Sequence, residues 1–269
     1  MASYQYVYQL QGLSKTYPGG KKVFENIHLS FLPDAKIGVV GVNGAGKSTL
    51  LNSIAGDIPA SGGKIWFNDK DVTKVPATGR TRDVARVFQD PLAGTCGNMT
   101  VEENMALAYG RVARGNLSFA LNDKLRKLFR EQLSRLNLGL EDRLDAEMGL
   151  LSGGQRQSVS LLMSALQPSK ILLLDEHTAA LDPKTAALIM DITRQIVEEK
   201  QLTVMMVTHS MRQALDFGTR TLMLHEGKII FDLSGEERQG MEVKDLLNLF
   251  AKARGEDEEL DDDKLLLGA

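Results

Sequence analysis

A glycine-rich octapeptide near the start of the chain constrains its fold more than any other feature. Residues 41–48 read Gly-Val-Asn-Gly-Ala-Gly-Lys-Ser and fit the pattern G-x-x-x-x-G-K-[ST]. They follow the apolar run Ile37–Val40 and precede a helical stretch, Thr49–Ala55, that stops at Gly56. Glycines let such a loop curl so that backbone N–H groups face phosphate oxygens, and the helix adds its positive amino-terminal end. The octapeptide is therefore interpreted as a phosphate cradle between a strand and a helix.

Three apolar runs predict a parallel sheet with helices on its faces. Ile37–Val40, Ile171–Leu174 and Val204–Val207 each end at a polar residue. Strands buried on both faces read as continuous apolar runs, and ligands bind where loops leave the carboxyl ends of such strands. The fold class is therefore predicted as α/β, with the phosphate loop at the edge of a parallel core sheet.

Two further regions are predicted beside this core. The first thirty or so residues alternate apolar and polar around the turn at Pro18, and Lys64–Phe67 reads as another strand. This pattern indicates an antiparallel β subdomain at the amino terminus. From Thr100 to about Leu140 the apolar spacing is helical, and Glu103 completes a capping-box pattern with Thr100. A separate helical subdomain is predicted there.

The predicted domain ends before the last twenty residues of the chain. Two strands around the turn Glu226-Gly227 are expected to form a hairpin. Residues 251–269 carry a run of acidic side chains and are predicted to be a disordered, solvated tail. We therefore predict one domain over residues 1–250, with the helical subdomain at about 92–165.

Composition and charge argue against several classes of function. The net charge is −3, whereas binding to nucleic acid needs clustered Lys and Arg, so direct nucleic-acid binding is not favoured. The amino terminus does not resemble a secretory signal, and no apolar run approaches the roughly 20 residues that cross a bilayer. Cys96, the single cysteine, cannot form an internal disulfide, which suits a reducing compartment. Its side chain is predicted to be buried or half-buried.

A second strand end carries two carboxylates. The run Ile171–Leu174 is followed directly by Asp175 and Glu176. A carboxylate beside a metal stays ionised, so Asp175 can hold Mg²⁺, while Glu176 can polarise the attacking water. In the phosphate loop, Lys47 would reach the β- and γ-phosphates and Ser48 would bind Mg²⁺. Together these residues predict a site for ATP and Mg²⁺.

A third motif identifies the family. Leu151-Ser-Gly-Gly-Gln155 matches the signature sequence of ABC ATPases, and the chain resembles that family over nearly its whole length. Other family motifs occur in the expected order, at Tyr17, Gln89, Asp182 and His209. Taken singly, these four could be a turn aromatic, a surface amide, a helix cap before a proline and a strand-end histidine. Their joint order favours the functional interpretation.

The resemblance implies roles for individual residues. Glu176, Gln89 and His209 would be catalytic, with Gln89 touching the metal or water and His209 touching the γ-phosphate. Ser48, Gln89 and Asp175 would hold Mg²⁺, and Tyr17 would stack on adenine. The implied nucleotide-binding residues are Tyr17, Gly41, Asn43, Gly44, Ala45, Gly46, Lys47, Ser48, Thr49, Ser152, Gly153, Gly154, Gln155 and Asp182.

The resemblance also implies partners. In the family two copies form a head-to-tail dimer, so Ser152 and Gly154 of one copy would face the γ-phosphate held by Lys47 of the other. Membrane permease subunits and an external binding protein would complete an importer, with this chain cytoplasmic on the inner face of the membrane. The segment Gln89–Asn104 either receives a permease helix or simply packs the helical subdomain, and the sequence leaves both interpretations open.

Two parts of the chain resemble different branches of the family. After about Leu51 it is similar to ATPase subunits of bacterial importers of small solutes, such as an amino acid, although His177 replaces the proline commonest in the family. Residues 1–41 instead resemble F-subfamily ABC proteins, which act on ribosomes. We therefore hypothesise a join near Gly41–Leu51. Three interpretations therefore compete: an importer subunit, a fragment of a ribosome-associated translation factor, and a chimaera without a native partner. The translation factors usually carry two nucleotide-binding domains on one chain, so the presence of one phosphate loop weighs against that interpretation.

Overall fold

The computed structural model describes residues 6–111 and 121–254. Its strands are β1 (Tyr8–Thr16), β2 (Lys22–Phe31), β3 (Lys36–Val40), β4 (Gly62–Phe67), β5 (Lys70–Asp71), β6 (Val84–Val87), β7 (Ile171–Asp175), β8 (Thr203–Val207), β9 (Arg220–His225) and β10 (Lys228–Ser234). Its helices are α1 (Lys47–Ala55), α2 (Ala77–Arg80), α3 (Val101–Gly110), α4 (Asp123–Ser134), α5 (Gly153–Ala165), α6 (Pro183–Glu199), α7 (Met211–Phe217) and α8 (Val243–Arg254).

The chain forms two compact units. One joins the residues up to Arg80 with those from Leu202 onward, and the other is Thr81–Gln201. The second unit is wider than the predicted helical subdomain because β6, β7 and α6 belong to it. The bounds 92–165 stay a prediction. Within the described ranges, no helix is long and apolar enough to cross a membrane.

The first unit contains the predicted antiparallel sheet, in the order β2-β1-β4-β5. Its buried face is joined to the end of α1. The Tyr8 hydroxyl donates to Ile54 O at 2.7 Å, and Arg80 Nη1 donates to the same oxygen at 2.7 Å. These bonds satisfy a carbonyl at the end of α1, where a cation also suits the helix dipole. The small sheet thereby fixes the helix that follows the phosphate loop.

The same unit contains parallel strands that carry the loop. β3 pairs in parallel with β8 on one side and β9 on the other, and β10 adds an antiparallel edge to β9. The β9–β10 turn has the predicted residues, Glu226 and Gly227, at φ values of 46° and 73°, as a tight hairpin requires. Helix α7 packs so closely on β3 that a Cβ at Gly38 would lie 2.8 Å from Ala214 Cβ. These findings confirm the predicted parallel strands and hairpin.

The second unit combines a parallel pair, β6 and β7, with four of the helices. The capping box predicted at the start of α3 is confirmed, since Thr100 N donates to Glu103 Oε2 and Glu103 N donates to Thr100 Oγ1. The predicted helical stretch comprises α3 and α4. Residues 112–120, between these two helices, lie outside the described ranges.

Two expectations are corrected. Helix α8 continues to Arg254, past the predicted boundary at residue 251, because Leu246 and Phe250 are fully buried in a cluster with Val40 and anchor the helix. The remainder of the predicted tail, residues 255–269, lies outside the described residues. Cys96 is exposed rather than buried. Its backbone is held in a turn by the buried Asn104, which accepts from Cys96 N at 2.7 Å, and this leaves the thiol at the surface.

Candidate active site

The phosphate loop has the curled backbone that its glycines predict. Gly44 and Gly46 have φ values of 79° and 98°, which a residue with a side chain rarely adopts. At Gly41, φ is 154° and a Cβ would lie 2.2 Å from Leu224 O on the neighbouring strand. The loop turns through Asn43, with Ala45 N donating to Val42 O at 3.2 Å. The glycine pattern is therefore a requirement of the backbone path.

Lys47 places a positive charge inside this loop. Its side chain is 5% exposed, and Nζ donates to Gly41 O at 2.5 Å and to Val42 O at 3.2 Å. Lys47 begins α1, so Ser48 and Thr49 occupy the first turn, where backbone N–H groups lack helical acceptors. A buried ammonium beside the amino-terminal turn of a helix and a curled backbone is a site suited to a polyphosphate.

The ends of β3, β8 and β9 bring two histidines to the edge that bears the loop. Thr208 N donates to Val39 O at 3.1 Å, so His209 follows β8 at the same edge as Gly41. His225, which the sequence analysis did not single out, ends β9 at that edge too. His225 could have been found from the sequence, because it ends the apolar run of β9. His209 follows the apolar run of β8 in a similar way.

Tyr17 lies in the turn after β1, which agrees with its interpretation as a turn aromatic. Its N–H donates to Lys21 O at 2.9 Å, and its carbonyl accepts from Gly20 N at 3.1 Å. The ring is 37% exposed, and Lys15 Nζ lies 5.1 Å from its centroid. An exposed aromatic face is available for stacking, so the role in binding adenine stays a prediction.

In the second unit, β7 carries the two carboxylates into a buried position. Asp175 is 7% exposed and Glu176 is 8% exposed. Asp175 Oδ2 accepts from Arg86 Nη2 at 2.8 Å, and this ion pair offsets the desolvation of the carboxylate. Glu176 adopts a φ of 47°, which is uncommon for a residue with a side chain. Such backbone conformations concentrate at functional sites because the surrounding structure has to impose them.

His177, in the place of the common proline, is fully enclosed. Its Nε2 lies 3.1 Å from Thr193 Oγ1, and the Thr193 hydroxyl donates to Ile189 O at 2.7 Å. Because that hydrogen is engaged, Thr193 accepts from His177 Nε2–H, which assigns the tautomer. Burial lowers the pKa of His177 from 6.5 to about 4. The neutral imidazole therefore ties the segment after Glu176 to helix α6.

The enclosed His177 predicts a loss of stability in mild acid. The unfolded chain takes up a proton near pH 6.5 and the folded chain only near pH 4, so the stabilisation is complete above pH 6.5 and is lost as pH falls through this window. The whole loss amounts to about 3 kcal/mol. Urea unfolding between pH 7 and pH 4 measures it. His177→Gln keeps a donor for Thr193 without titrating, so its profile should be flatter, and parallel profiles would contradict the assignment.

The signature segment forms an exposed helix start. Ser152 Oγ accepts from Gln155 N, and Gln155 Oε1 accepts from Ser152 N, both at 3.2 Å. Gly153 and Gly154 are the first two residues of α5, a helix of 13 residues. Arg156 donates to three carbonyls of the preceding turn, of which Gly149 O lies at 2.8 Å. The helix amino terminus is thus exposed, rigidly held and suited to an anion.

Gly154 is required by close packing against α6. A Cβ there would lie 2.3 Å from Thr185 Cγ2. Gly154→Ala should therefore destabilise the fold by about 1–3 kcal/mol, although alanine is the better helix former. Urea unfolding measures the loss. Thr185→Ser removes Cγ2 and keeps the hydroxyl, so the double variant should recover most of the stability relative to Thr185→Ser alone. Equal stability of Gly154→Ala and the wild type would contradict this packing argument.

Gln89 and Asp182 also lie in the second unit. Gln89 follows β6 and is exposed, and the preceding carbonyl, Phe88 O, accepts from Gln157 Nε2 at 3.2 Å. Asp182 caps α6, since its Oδ1 accepts from Thr185 N at 3.1 Å, and the hydrogen bonds from Thr185 lower the pKa of Asp182. The helix-cap interpretation of Asp182 is confirmed. Its contact with nucleotide, like that of Gln89 with metal, stays a prediction.

The donor set fits Mg²⁺ bound together with a nucleotide. In the parts of the chain that the structure describes, no three or more His, Cys, Asp or Glu side chains are grouped so as to hold a metal ion. Mg²⁺ commonly binds through one or two protein oxygens and completes its coordination with phosphate oxygens and water. Ser48 in the first unit and Asp175 in the second each carry an oxygen of this kind.

The fold and these motifs define a nucleotide-hydrolysing ATPase of the phosphate-loop class. Residues 24–179 match the ABC transporter family, and this chain belongs to it. The tyrosine transport ATP-binding protein of Clostridioides difficile (strain R20291) is 43% identical over 249 residues, covering 91% of this chain and 99% of the relative. The phosphonates import ATP-binding protein PhnC of Lactococcus lactis subsp. cremoris (strain SK11) is 34% identical, covering 85% and 94%. The chain is thus an ATP-binding subunit of an ABC transporter and an ATPase.

Solved structures agree with this fold. The ATP-binding cassette MJ0796, in a dimeric post-hydrolysis state bound to ADP and Pi, has a TM-score of 0.74 and 27% identity, covering 87% of this chain and 100% of that chain. A cassette from Clostridium perfringens, cbiO1 of the ABC transporter complex cbiONQ, has a TM-score of 0.74 and 24% identity, covering 92% and 95%. The predicted class, a phosphate-loop fold with parallel core strands, is confirmed.

The comparisons do not support the join near Gly41–Leu51. Residues 1–41 are 41 of 269 positions, more than the 9% of the chain that the alignment to the Clostridioides difficile protein leaves out. A single transport relative therefore includes residues on both sides of the supposed seam. Neither a segment from the F-subfamily nor a chimaera is supported. Leu29–Val40 spans the end of β2 and the whole of β3, and it lies inside the family match over residues 24–179.

Proposed function

We propose that this chain is the ATPase subunit of an importer of a small solute and that it works as a head-to-tail homodimer. The observation that carries the proposal is that one chain has both halves of a site, the phosphate cradle around Lys47 and the exposed helix start at Ser152. In a head-to-tail pair, the helix start of each copy closes on the triphosphate bound in the cradle of the other. Permease subunits would hold the dimer at the cytoplasmic face of a membrane.

Binding is assigned to the residues of the cradle. The N–H groups of Gly44, Gly46 and the first turn of α1 donate to phosphate oxygens, and Lys47 exchanges the loop carbonyls for the β- and γ-phosphates. The exposed Tyr17 ring stacks on adenine. The other copy of the dimer contributes Ser152 and the N–H groups that follow it, and these add contacts to the γ-phosphate. ATP thereby favours the closed dimer, and its hydrolysis removes those contacts.

Hydrolysis is assigned to the carboxylate pair and two polar neighbours. Glu176 accepts a proton from the attacking water, and His209 donates to the γ-phosphate. Asp175, Ser48 and Gln89 hold Mg²⁺, which when bound neutralises the charge that develops on the phosphate oxygens. Asp175 forms an ion pair with Arg86, and Glu176, the next residue, is assigned the role of base. Gln89 would pass the change to the permease.

The solute is proposed from the relatives. The relative named for tyrosine transport is 43% identical to this chain over nearly its full length, whereas the relative named for phosphonate import is 34% identical. An amino acid is therefore preferred to a phosphonate. An external binding protein and the permease would select that solute, because this chain contributes the nucleotide site.

Uptake by the native host tests the proposal. A strain lacking this gene should lose uptake of radiolabelled tyrosine, and the wild-type gene should restore it, whereas Lys47→Ala should not. Aminoethylphosphonate uptake in the same strains serves as the comparison. Loss of phosphonate uptake alone would contradict the amino-acid assignment, and loss of neither would contradict the importer proposal. Sedimentation of the Glu176→Gln protein with ribosomes instead of membranes would favour the translation-factor alternative.

A further inference from the structure

Arg86 forms a buried ion pair with the strand-end carboxylate of Asp175. Arg86 Nη2 lies 2.8 Å from Asp175 Oδ2, and the two side chains are 11% and 10% exposed. The contact follows from strand register, because β6 and β7 run in parallel with Arg86 opposite Leu173. Side chains two residues apart share a face, so Arg86 reaches forward along the sheet to Asp175. Arg86 belongs to none of the family motifs described in the sequence analysis.

A guanidinium and a magnesium ion compete for such a carboxylate. Both bind its oxygens, the guanidinium through N–H donors and the metal directly. Two cations on one carboxylate also repel each other, and the repulsion is strong where solvent is largely excluded. Arg86 therefore stands where it opposes a metal bound by Asp175.

Arg86 also has a second environment within the same unit. It lines a cavity of about 450 Å³ together with Phe88, Cys96, Leu107 and Ser160. Its guanidinium carbon lies 4.4 Å from the centre of the Phe88 ring, a cation–π contact that does not depend on Asp175. Besides its contact with the carboxylate, the side chain thus has an aromatic partner and borders open space.

We propose that Arg86 is a positioning residue that holds Asp175 in the metal-free protein and is displaced toward this cavity when Mg²⁺ binds. This inference rests on the proposed role of Asp175 as a metal ligand. Before nucleotide binds, Arg86 stabilises the carboxylate of Asp175. Because it competes with the metal, it also raises the Mg²⁺ concentration needed to fill the site. Metal occupancy at Asp175 is thereby transmitted to the cavity lined by Phe88, the residue before Gln89.

Metal affinity provides the first test. Mn²⁺, which replaces Mg²⁺ and is visible by EPR, is titrated into protein saturated with a non-hydrolysable ATP analogue. Arg86→Met should bind Mn²⁺ about fivefold or more tightly than the wild type, and Arg86→Lys, which keeps a competing cation, should stay closer to the wild type. The matched control is Arg82→Met, because Arg82 is an exposed arginine just before β6. Equal Mn²⁺ affinity of the wild type and Arg86→Met would overturn the proposal.

Cys96 provides a second test that needs no introduced cysteine. It is the single cysteine of the chain and lines the same cavity. A polarity-sensitive fluorophore on Cys96 should change its emission when Mn²⁺ joins the analogue, and the analogue with EDTA should give no such change. In Arg86→Met the metal-dependent change should vanish. A silent label in the wild type, or the same change in Arg86→Met, refutes the displacement, whereas failure of the wild type to bind the analogue contradicts the proposed function instead.

Discussion

Glu176→Gln is expected to bind ATP normally and to hydrolyse it roughly 10²- to 10⁴-fold more slowly than the wild type. The amide has the size of the carboxylate but cannot accept a proton from water. Glu176 is 8% exposed and sits at a left-handed backbone position, so an isosteric change should leave the local structure intact. Phosphate release measures hydrolysis, and equilibrium titration measures binding.

The same variant tests the dimer. With hydrolysis stalled, the protein should elute as a nucleotide-dependent dimer in size-exclusion chromatography with ATP and Mg²⁺. Glu198→Gln, an exposed position on α6, is the matched control and should behave as the wild type. Hydrolysis within a few fold of the wild type would remove Glu176 from its proposed role. A persistent monomer peak with demonstrated ATP binding would instead contradict the head-to-tail dimer.

Lys47→Ala is expected to weaken ATP binding by about 10- to 100-fold, because charge-assisted hydrogen bonds to phosphate are lost. Lys47 is the buried cation of the loop, and no neighbouring side chain of the motif replaces its charge. Fluorescence titration with a labelled ATP measures the loss. Lys36→Ala removes a lysine from the other end of β3 and should leave the affinity unchanged.

Folding must be separated from binding in that experiment. Because Lys47 Nζ donates to Gly41 O and Val42 O, its removal also frees two loop carbonyls. Thermal unfolding without nucleotide reports this structural cost, and the protection that added ATP gives reports binding. A variant with normal thermal unfolding and wild-type affinity would show that Lys47 does not hold the phosphates.

Local structure was predictable wherever neighbouring residues decide it. The glycines of residues 41–48, the capping box at Thr100 and the turn at Glu226-Gly227 each specify a backbone conformation through residues that are close together in the sequence. The structure has all three. Apolar runs likewise located the strands, since a strand buried on both faces has little other composition available.

Predictions failed where distant packing decides the outcome. The tail was expected from residue 251, but Leu246 and Phe250 are buried with Val40 and carry α8 to Arg254. Cys96 was expected to be covered, yet its turn is held by Asn104 through the backbone. Leu246 and Phe250 have the spacing of one helix face, but the sequence does not name Val40 as their partner, and the turn at Cys96 depends on an asparagine eight residues away.

The candidate site divides in the same way. Sequence alone determined which chemical groups are present, because a phosphate loop, a carboxylate pair and a Ser-Gly-Gly helix start are each contiguous and carry their own geometry. Only the tertiary structure decided what surrounds them. Arg86 meets Asp175 through the register of two strands, and Thr193 on α6 fixes the tautomer of His177. Such contacts join residues far apart in the chain, and they exist only once strands and helices have packed.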